Sequence, residues 1–237
     1  MKPLYKRILL KLSGEGLMGD KPFGVDYEVL SSLSKQIKSI YDMGVEICVV
    51  IGGGNIFRGA KEAAKGMDRS MADQVGMMAS VMNALFLQDS LEKVGVKTAV
   101  MSGLEINKVC EPYVYRNAVS CLADSKVIIF AAGTGNPYFT TDTGAALRAA
   151  EMKCDAILKS TQVDGVYDSD PKQNKNAKRY DKITFDEVIE KSLKVMDLTA
   201  ITLAKDNNIK IVVFSQGEEN ALVNAVCAKG MFTIIEN

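Results

Sequence analysis

The chain has 237 residues, 47% hydrophobic and 24% charged, which suits a globular protein with a sizeable core. Lys+Arg and Asp+Glu both number 29, so the net charge is zero and no basic excess marks a nucleic-acid or anionic-membrane binder. There is no histidine, which excludes a Ser-His-Asp triad, a histidine general base and His-containing zinc sites.

The elements alternate along the chain. "KRILLKL" (residues 6–12) predicts a first strand. Asp26 caps a helix whose face is Leu30, Leu33, Ile37 and Ile40, ending at Gly44. "VEICVVI" is a strand, and residues 70–91 form a long helix that is apolar on more than one side. "VKTAVM" is a strand, "PYVYRNAVSCLA" (112–123) a short helix, "KVIIFAA" a strand, "TDTGAALRAAEMK" (141–153) a helix and "DAILKS" a strand. After the polar stretch "SDPKQNKNAKRYDK", read as a charged surface loop, "TFDEVIEKSL" carries a capping box at Thr184 and Glu187. "DLTAITLAKDN" is a helix, "KIVVF" a strand, "EENALVNAVCA" (218–228) a helix and "MFTII" a last strand. Continuous apolar strands between helices imply an α/β unit, a mainly parallel sheet covered on both faces. The apolar run near the N-terminus is broken by Lys11 and is not expected to act as a signal peptide. No stretch reaches the ~18 apolar residues of a membrane span. The scattered cysteines Cys48, Cys110, Cys121, Cys154 and Cys227 form no CxxC and read as reduced, mostly buried thiols of a cytoplasmic protein.

Small and hydroxyl residues crowd the C-terminal strand ends: "SGEG", "GGGN", "GTGN", "STQVDG" and "SQG". In open α/β sheets that edge binds ligands, and glycine amides there favour anions. "VVIGGGNIFRG" (49–59) matches neither a Walker A loop nor G-x-G-x-x-G, and by itself reads equally as a tight turn. Arg58 beside it suits bidentate contact with phosphate. Lys11 lies inside an apolar strand; on an edge strand it would be solvated, whereas in a buried one it should reach an anion at the rim, beside Ser13 and Gly14. Lys159 repeats the arrangement in "LKSTQVDGVYDSDP", followed by Thr161, Asp164, Tyr167 and Asp170, with Asp164 read as a turn residue. In "GTGNPYFTTDTGAA" either Thr141 or Asp142 could cap the helix, and its spare N–H groups could bind an anion. Asp197 reads as another N-cap. Met71, Met77, Met78 and Met82 read as core or subunit interface. Two strand-end lysines, an arginine, glycine amides and magnesium would serve phosphoryl transfer without histidine.

From "YKRILLKLSGE" through "VVIGGGNIFRG", "GTGNPYFTTDTGAA" and "LKSTQVDGVYDSDP" to "LKVMDLTAITLAKD", the chain resembles bacterial uridylate kinases of the amino acid kinase superfamily. The resemblance implies an αβα sandwich spanning residues 1–237 as one domain. Its N-terminal half would mainly bind UMP and oligomerise, and its C-terminal half would bind ATP. It implies magnesium-assisted conversion of ATP and UMP to UDP in pyrimidine nucleotide synthesis by a cytoplasmic homohexamer, with no nucleic-acid or membrane partner. Lys11, Ser13, Gly14, Gly54, Arg58, Thr161, Tyr167 and Asp170 match ATP-binding positions. Gly53, Asp73 and the loop Thr134, Gly135, Asn136, Pro137, Tyr138, Phe139, Thr140 and Thr141 match UMP-binding ones. Lys11, Lys159, Asp142 and Asp197 match the catalytic set, the two aspartates matching acidic residues that organise the lysines or the metal, and magnesium is implied with ATP. The loop Gly19, Asp20, Lys21, Pro22, Phe23 and Gly24 matches a segment linked to GTP response, and UTP is implied as a feedback inhibitor. One departure is plain: a basic GTP pocket near the end of the long helix reads "LFLQDSLEKVG" here, with Gln88, Glu92 and only Lys93 basic. On this fold the rival readings are kinases of carboxylates, carbamate or isopentenyl phosphate (the last use a histidine absent here) and a nucleotide- or oxyanion-storing protein. The two retained lysines weigh against storage.

Overall fold

The computed structural model describes residues 2–58, 65–217 and 220–237. Gly59 of the glycine-arginine stretch, and Glu218 and Glu219 of the expected last helix, lie outside the described residues. β1 (Arg7–Leu12) sits inside the sheet, with β2 (Glu46–Ile51) parallel on one side and β6 (Ala156–Thr161) parallel on the other. Its side chains alternate between two cores, Ile8, Leu10 and Leu12 in one and Leu9 in the other. That is the period of two expected of a strand buried on both faces.

The remaining strands of this sheet are β3 (Thr98–Ser102), β4 (Glu111–Pro112), β5 (Val127–Ala131), β9 (Lys182–Thr184), β10 (Lys210–Ser215) and β11 (Phe232–Glu236). Among the described residues their order is β4-β3-β5-β2-β1-β6-β10-β11-β9. All neighbours are parallel except β10 and β11. The first core is covered by α1 (Tyr27–Asp42), α2 (Arg69–Lys93) and α7 (Ala221–Val226). The second is covered by α3 (Tyr115–Ala123), α4 (Thr141–Glu151), α5 (Phe185–Glu190) and α6 (Leu198–Asp206). The result is the αβα sandwich, with seven parallel strands delivering their C-terminal ends to one rim. Asp26 caps α1 and the Thr184–Glu187 box caps α5, as their spacing requires. The described residues include no helix long and apolar enough to cross a membrane.

Several local expectations change. The helix expected from Pro112 begins at Tyr115, because Glu111 and Pro112 pair with Met101 and Ser102 as the edge strand β4. Proline lacks an N–H and is tolerated at a sheet edge. The stretch read as a surface loop contains β8 (Arg179–Tyr180), which pairs antiparallel with β7 (Val166–Tyr167). Strands of two residues carry no period that a sequence could display. The last helix starts at Ala221 within the described residues. On α2, Val81, Ala84, Leu87 and Leu91 enter the core, while Met71, Met78 and Met82 are 52%, 45% and 47% exposed. The second apolar face therefore exists and lies open. The helix also buries two polar residues, Ser80 and Asn83.

Candidate active site

Lys11 and Lys159 are register partners on adjacent strands, so two ammonium groups rise side by side at the C-terminal rim. Two positions beyond Leu9 and Ile157, which join the second core, both lie on the face covered by α4. Lys11 is buried and Lys159 nearly so. The first turn of α4 supplies their counter-ion. Asp142 Oδ1 lies 2.8 Å from Lys11 Nζ, and Asp142 Oδ2 accepts from Lys159 Nζ at 2.7 Å. Lys159 Nζ also donates to the Val195 carbonyl at 2.6 Å. The contact to Lys11 is an ion pair, and among the described residues Oδ1 is buried and accepts no hydrogen bond. Burial works to raise the Asp142 pKa, but the charges of Lys11 and Lys159 together hold it below the usual carboxylate range. Burial lowers the pKa of Lys159, and the charge of Asp142 only partly restores it.

Asp142 is free for this because it does not cap the helix, nor does Thr141. The N-cap is Thr140, whose hydroxyl accepts from the amides of Asp142 and Thr143. Asp197 caps α6 through Ala200 N, as expected, and also accepts from the hydroxyls of Thr140 and Thr143. The start of α6 is thus stitched to the start of α4, which fixes the turn carrying Asp142. Among the described residues no three Cys, Asp or Glu side chains converge as metal ligands.

The glycines after β1 and β2 serve their own backbone first. A Cβ on Gly14 would stand 2.6 Å from the Gly52 carbonyl, and one on Gly53 would stand 2.8 Å from Ala79 Cβ of α2. Those glycines let two turns and a helix close on one another. Gly54 differs: among the described residues a Cβ there would meet only Glu15, at 3.6 Å. Arg58 reaches back over this turn, with Nη2 2.5 Å from Glu15 Oε1 and Nε donating to the Gly54 carbonyl at 3.2 Å. Beneath it lies a buried amide pair that sequence reading did not single out. Asn83 Nδ2 donates to Gly52 O and to Asn55 Oδ1, each at 2.7 Å, and Asn55 Nδ2 donates to Gly24 O at 2.8 Å. The one available signal was an asparagine inside the apolar "VMNALF".

A cleft opens between α2 and the loop after β5. Gly53, Asp73, Thr134, Asn136, Phe139, Thr140 and Thr141 line it, but Gly135, Pro137 and Tyr138 do not. Phe57, Gly76, Met77, Ser80 and Gly133 also line it and were not anticipated. Asp73 Oδ2 accepts from Tyr138 N at 2.8 Å, which ties the loop to the helix. Gly135 backs onto Gly103, where a Cβ would stand 2.4 Å from the Gly103 carbonyl.

The remaining expected positions sit at the end of β6 and beyond it. Thr161 Oγ1 donates to Val163 O at 2.6 Å, and Asp170 Oδ1 accepts from Lys172 N at 2.9 Å. Asp164 is more than a turn residue: it accepts from Tyr167 OH at 2.7 Å and lies 3.7 Å from Arg179. The loop Gly19–Gly24 packs on the glycine turn through Gly24 N, which donates to Asn55 O at 3.1 Å. Lys21 lies 3.5 Å from Asp26, and Phe23 is exposed. At the far end of α2, Gln88 Nε2 donates to Glu92 and Thr98 at 3.2 and 3.1 Å, and Lys93 pairs with Asp89 at 2.5 Å.

The profile of the Amino acid kinase family matches residues 6–215 of this sequence. The chain belongs to the amino acid kinase family. It is 54% identical over 233 residues to a uridylate kinase of Paramagnetospirillum magneticum, covering 98% of this chain and 97% of the relative. Its identity to a uridylate kinase of Erythrobacter litoralis is 53% over 235 residues, covering 99% of each. Among solved structures, the UMP kinase of Ureaplasma parvum superposes with a TM-score of 0.94 at 40% identity over the whole of both chains. The UMP kinase of Bacillus anthracis gives 0.93 at 40% identity, covering 98% of this chain and 96% of that one. Within the family, these similarities run end to end.

Proposed function

We propose that this enzyme transfers the γ-phosphoryl group of ATP to UMP, giving UDP and ADP. The observation that carries the reading is the contiguity of two parts. Thr140 and Thr141 line the cleft, and the next residue, Asp142, bridges Lys11 and Lys159. A nucleoside monophosphate seated in the cleft would present its phosphate to the lysine pair. A phosphate monoester is largely ionised at neutral pH, its second pKa being about 6. The acceptor oxygen therefore needs no general base, which accords with a chain lacking histidine. That oxygen forms a bond to the γ-phosphorus as the bond to the β-bridging oxygen breaks, and ADP leaves with its electron pair. Lys11 and Lys159 stabilise charge on the transferring group, and Asp142 keeps both charged and oriented.

Magnesium bound with ATP would neutralise phosphate charge. Asp142 and Asp197, engaged by the lysines and by threonine hydroxyls, orient the lysines and are the carboxylates that would face such a metal. Residues Lys11, Ser13, Gly14, Gly54 and Arg58 form the phosphate side of the ATP site, and Thr161, Tyr167 and Asp170 its base side. Arg58 must exchange Glu15 for phosphate. Asp73 and residues 134–141 hold UMP. The chain acts as one unit over residues 1–237, with its N-terminal half mainly for UMP and assembly and its C-terminal half mainly for ATP. The open methionine face of α2 supports assembly through that helix, with a homohexamer as the proposed state. The free thiols suit the cytoplasm. UTP is proposed as an inhibitor. A GTP response would act through Gly19–Gly24, which is bonded to the glycine turn through Asn55. An acceptor screen with ATP and magnesium tests the reading: UMP should be the preferred acceptor, and phosphorylation of a carboxylate or carbamate in its place would overturn it.

A further inference from the structure

Arg69 opens α2 four residues before Asp73 and at first resembles an ordinary exposed helix pair, with Nε donating to Asp73 Oδ2 at 2.8 Å. Two further contacts make it more than that. The same Oδ2 accepts the Tyr138 amide at 2.8 Å, and the Arg69 guanidinium lies over the Tyr138 ring, 5.4 Å from its centroid. Tyr138 has a φ of 69°, in the left-handed region that a non-glycine residue occupies only when its surroundings hold it there. The N–H hydrogen bond to Asp73 and the ring contact with Arg69 both fall on this residue. Among the described residues Asp73 Oδ1 accepts no hydrogen bond, and Asp73 lines the cleft. One carboxylate oxygen is thus fixed by two donors, and the other is left to accept.

We infer that Arg69 is a positioning residue that clasps the loop after β5 to α2 and presents Asp73 Oδ1 to the vicinal hydroxyls of a ribose. It thereby sets discrimination between ribo- and deoxyribonucleoside monophosphates. This rests on the UMP reading above. Arg69 itself touches no substrate; it acts through Asp73 and Tyr138.

The test compares UMP and dUMP as acceptors for wild type, Arg69→Met, Arg69→Lys, Asp73→Asn and Arg69→Met/Asp73→Asn. Arg69→Met removes the donors but keeps the bulk. It should raise KM for UMP about tenfold, the loss expected when a hydrogen bond orienting a charged group is removed. It should narrow the UMP-to-dUMP ratio in kcat/KM by a similar factor, with KM for ATP unchanged. Arg69→Lys should recover part of both effects. In the Asp73→Asn background Arg69→Met should add little, since both act at one point. Arg69 is 44% exposed, so solvent screens the pair and the thermal midpoint should move little. If Arg69→Met lowered the midpoint but left the UMP-to-dUMP ratio at the wild-type value, the residue would be a surface pair and the inference would be overturned. A wild type that turned over UMP and dUMP equally would overturn the ribose role of Asp73 itself, and the inference with it.

Discussion

Replacing Asp142 by Asn preserves shape and removes the charge between two buried lysines. The Lys11 and Lys159 side chains are 10% and 12% exposed, and each lies within 2.8 Å of the carboxylate. Removing one partner of a buried ion pair costs about 3–5 kcal/mol because the other charge is left uncompensated. Here two ammonium groups are left, but they stand at a rim that water reaches, so about 3 kcal/mol is the appropriate figure. In a chain of this size each kcal/mol moves the midpoint by roughly 2–4 °C, which gives a fall of about 6–12 °C at pH 7. Burial already lowers the pKa of Lys159, and loss of Asp142 removes the main influence raising it. The variant should therefore shed that proton as pH rises, and its deficit against wild type should shrink toward pH ~10. In acid the sign runs the other way. Because the folded pKa of Asp142 is lowered, its contribution is complete above the unfolded value of about 3.9 and disappears as pH falls through the folded one. Wild type and variant should then converge. Polyanionic ATP should stabilise the variant more than the wild type, since it replaces the missing charge. Thermal unfolding across pH, with and without ATP, reads all of this. A variant as stable as wild type at pH 7, or a deficit unchanged at pH 10, would refute the reasoning.

Lys11→Ala and Lys159→Ala should each lower kcat by about 10²–10³, in line with loss of a charge-stabilising donor; near-normal kcat with a depressed midpoint would make the lysine structural. Asn83→Leu strands the Gly52 carbonyl and the Asn55 amide in the interior and should cost about 2–4 kcal/mol, read from denaturant unfolding. An unchanged midpoint would mean the amide network is dispensable. Met82→Asp, on the open face of α2, should weaken assembly before it harms the isolated fold. Light scattering checks this, and a wild type that stays monomeric at micromolar concentration would remove the argument.

The layered fold was legible because its strands are apolar throughout and its helices carry a 3.6-residue period with capping residues such as Asp26 and Thr184. Lys11 and Lys159 were legible for the converse reason, each being a charge at the end of a run that otherwise belongs to the core. The bridge between them was not. Asp142 lies 131 residues from Lys11 in sequence, and Thr141 and Asp142 were both plausible caps until Thr140 took that role. The triple glycine pointed to the right edge of the sheet, and Gly53 both packs against α2 and lines the cleft. The Asn55–Asn83 pair depends on two turns and a helix meeting in space, and short strands such as β7 and β8 exist only through their partners.

Quench-flow with γ-labelled ATP, magnesium and UMP tests the central claim most directly, because it follows the transferred group itself. The account predicts that label passes straight to UDP, with no labelled protein at any time, and that Asp142→Asn and Lys159→Ala slow that single step. Label accumulating on the protein before UDP appears, or reaching water or another acceptor while UMP stays unlabelled, would contradict it.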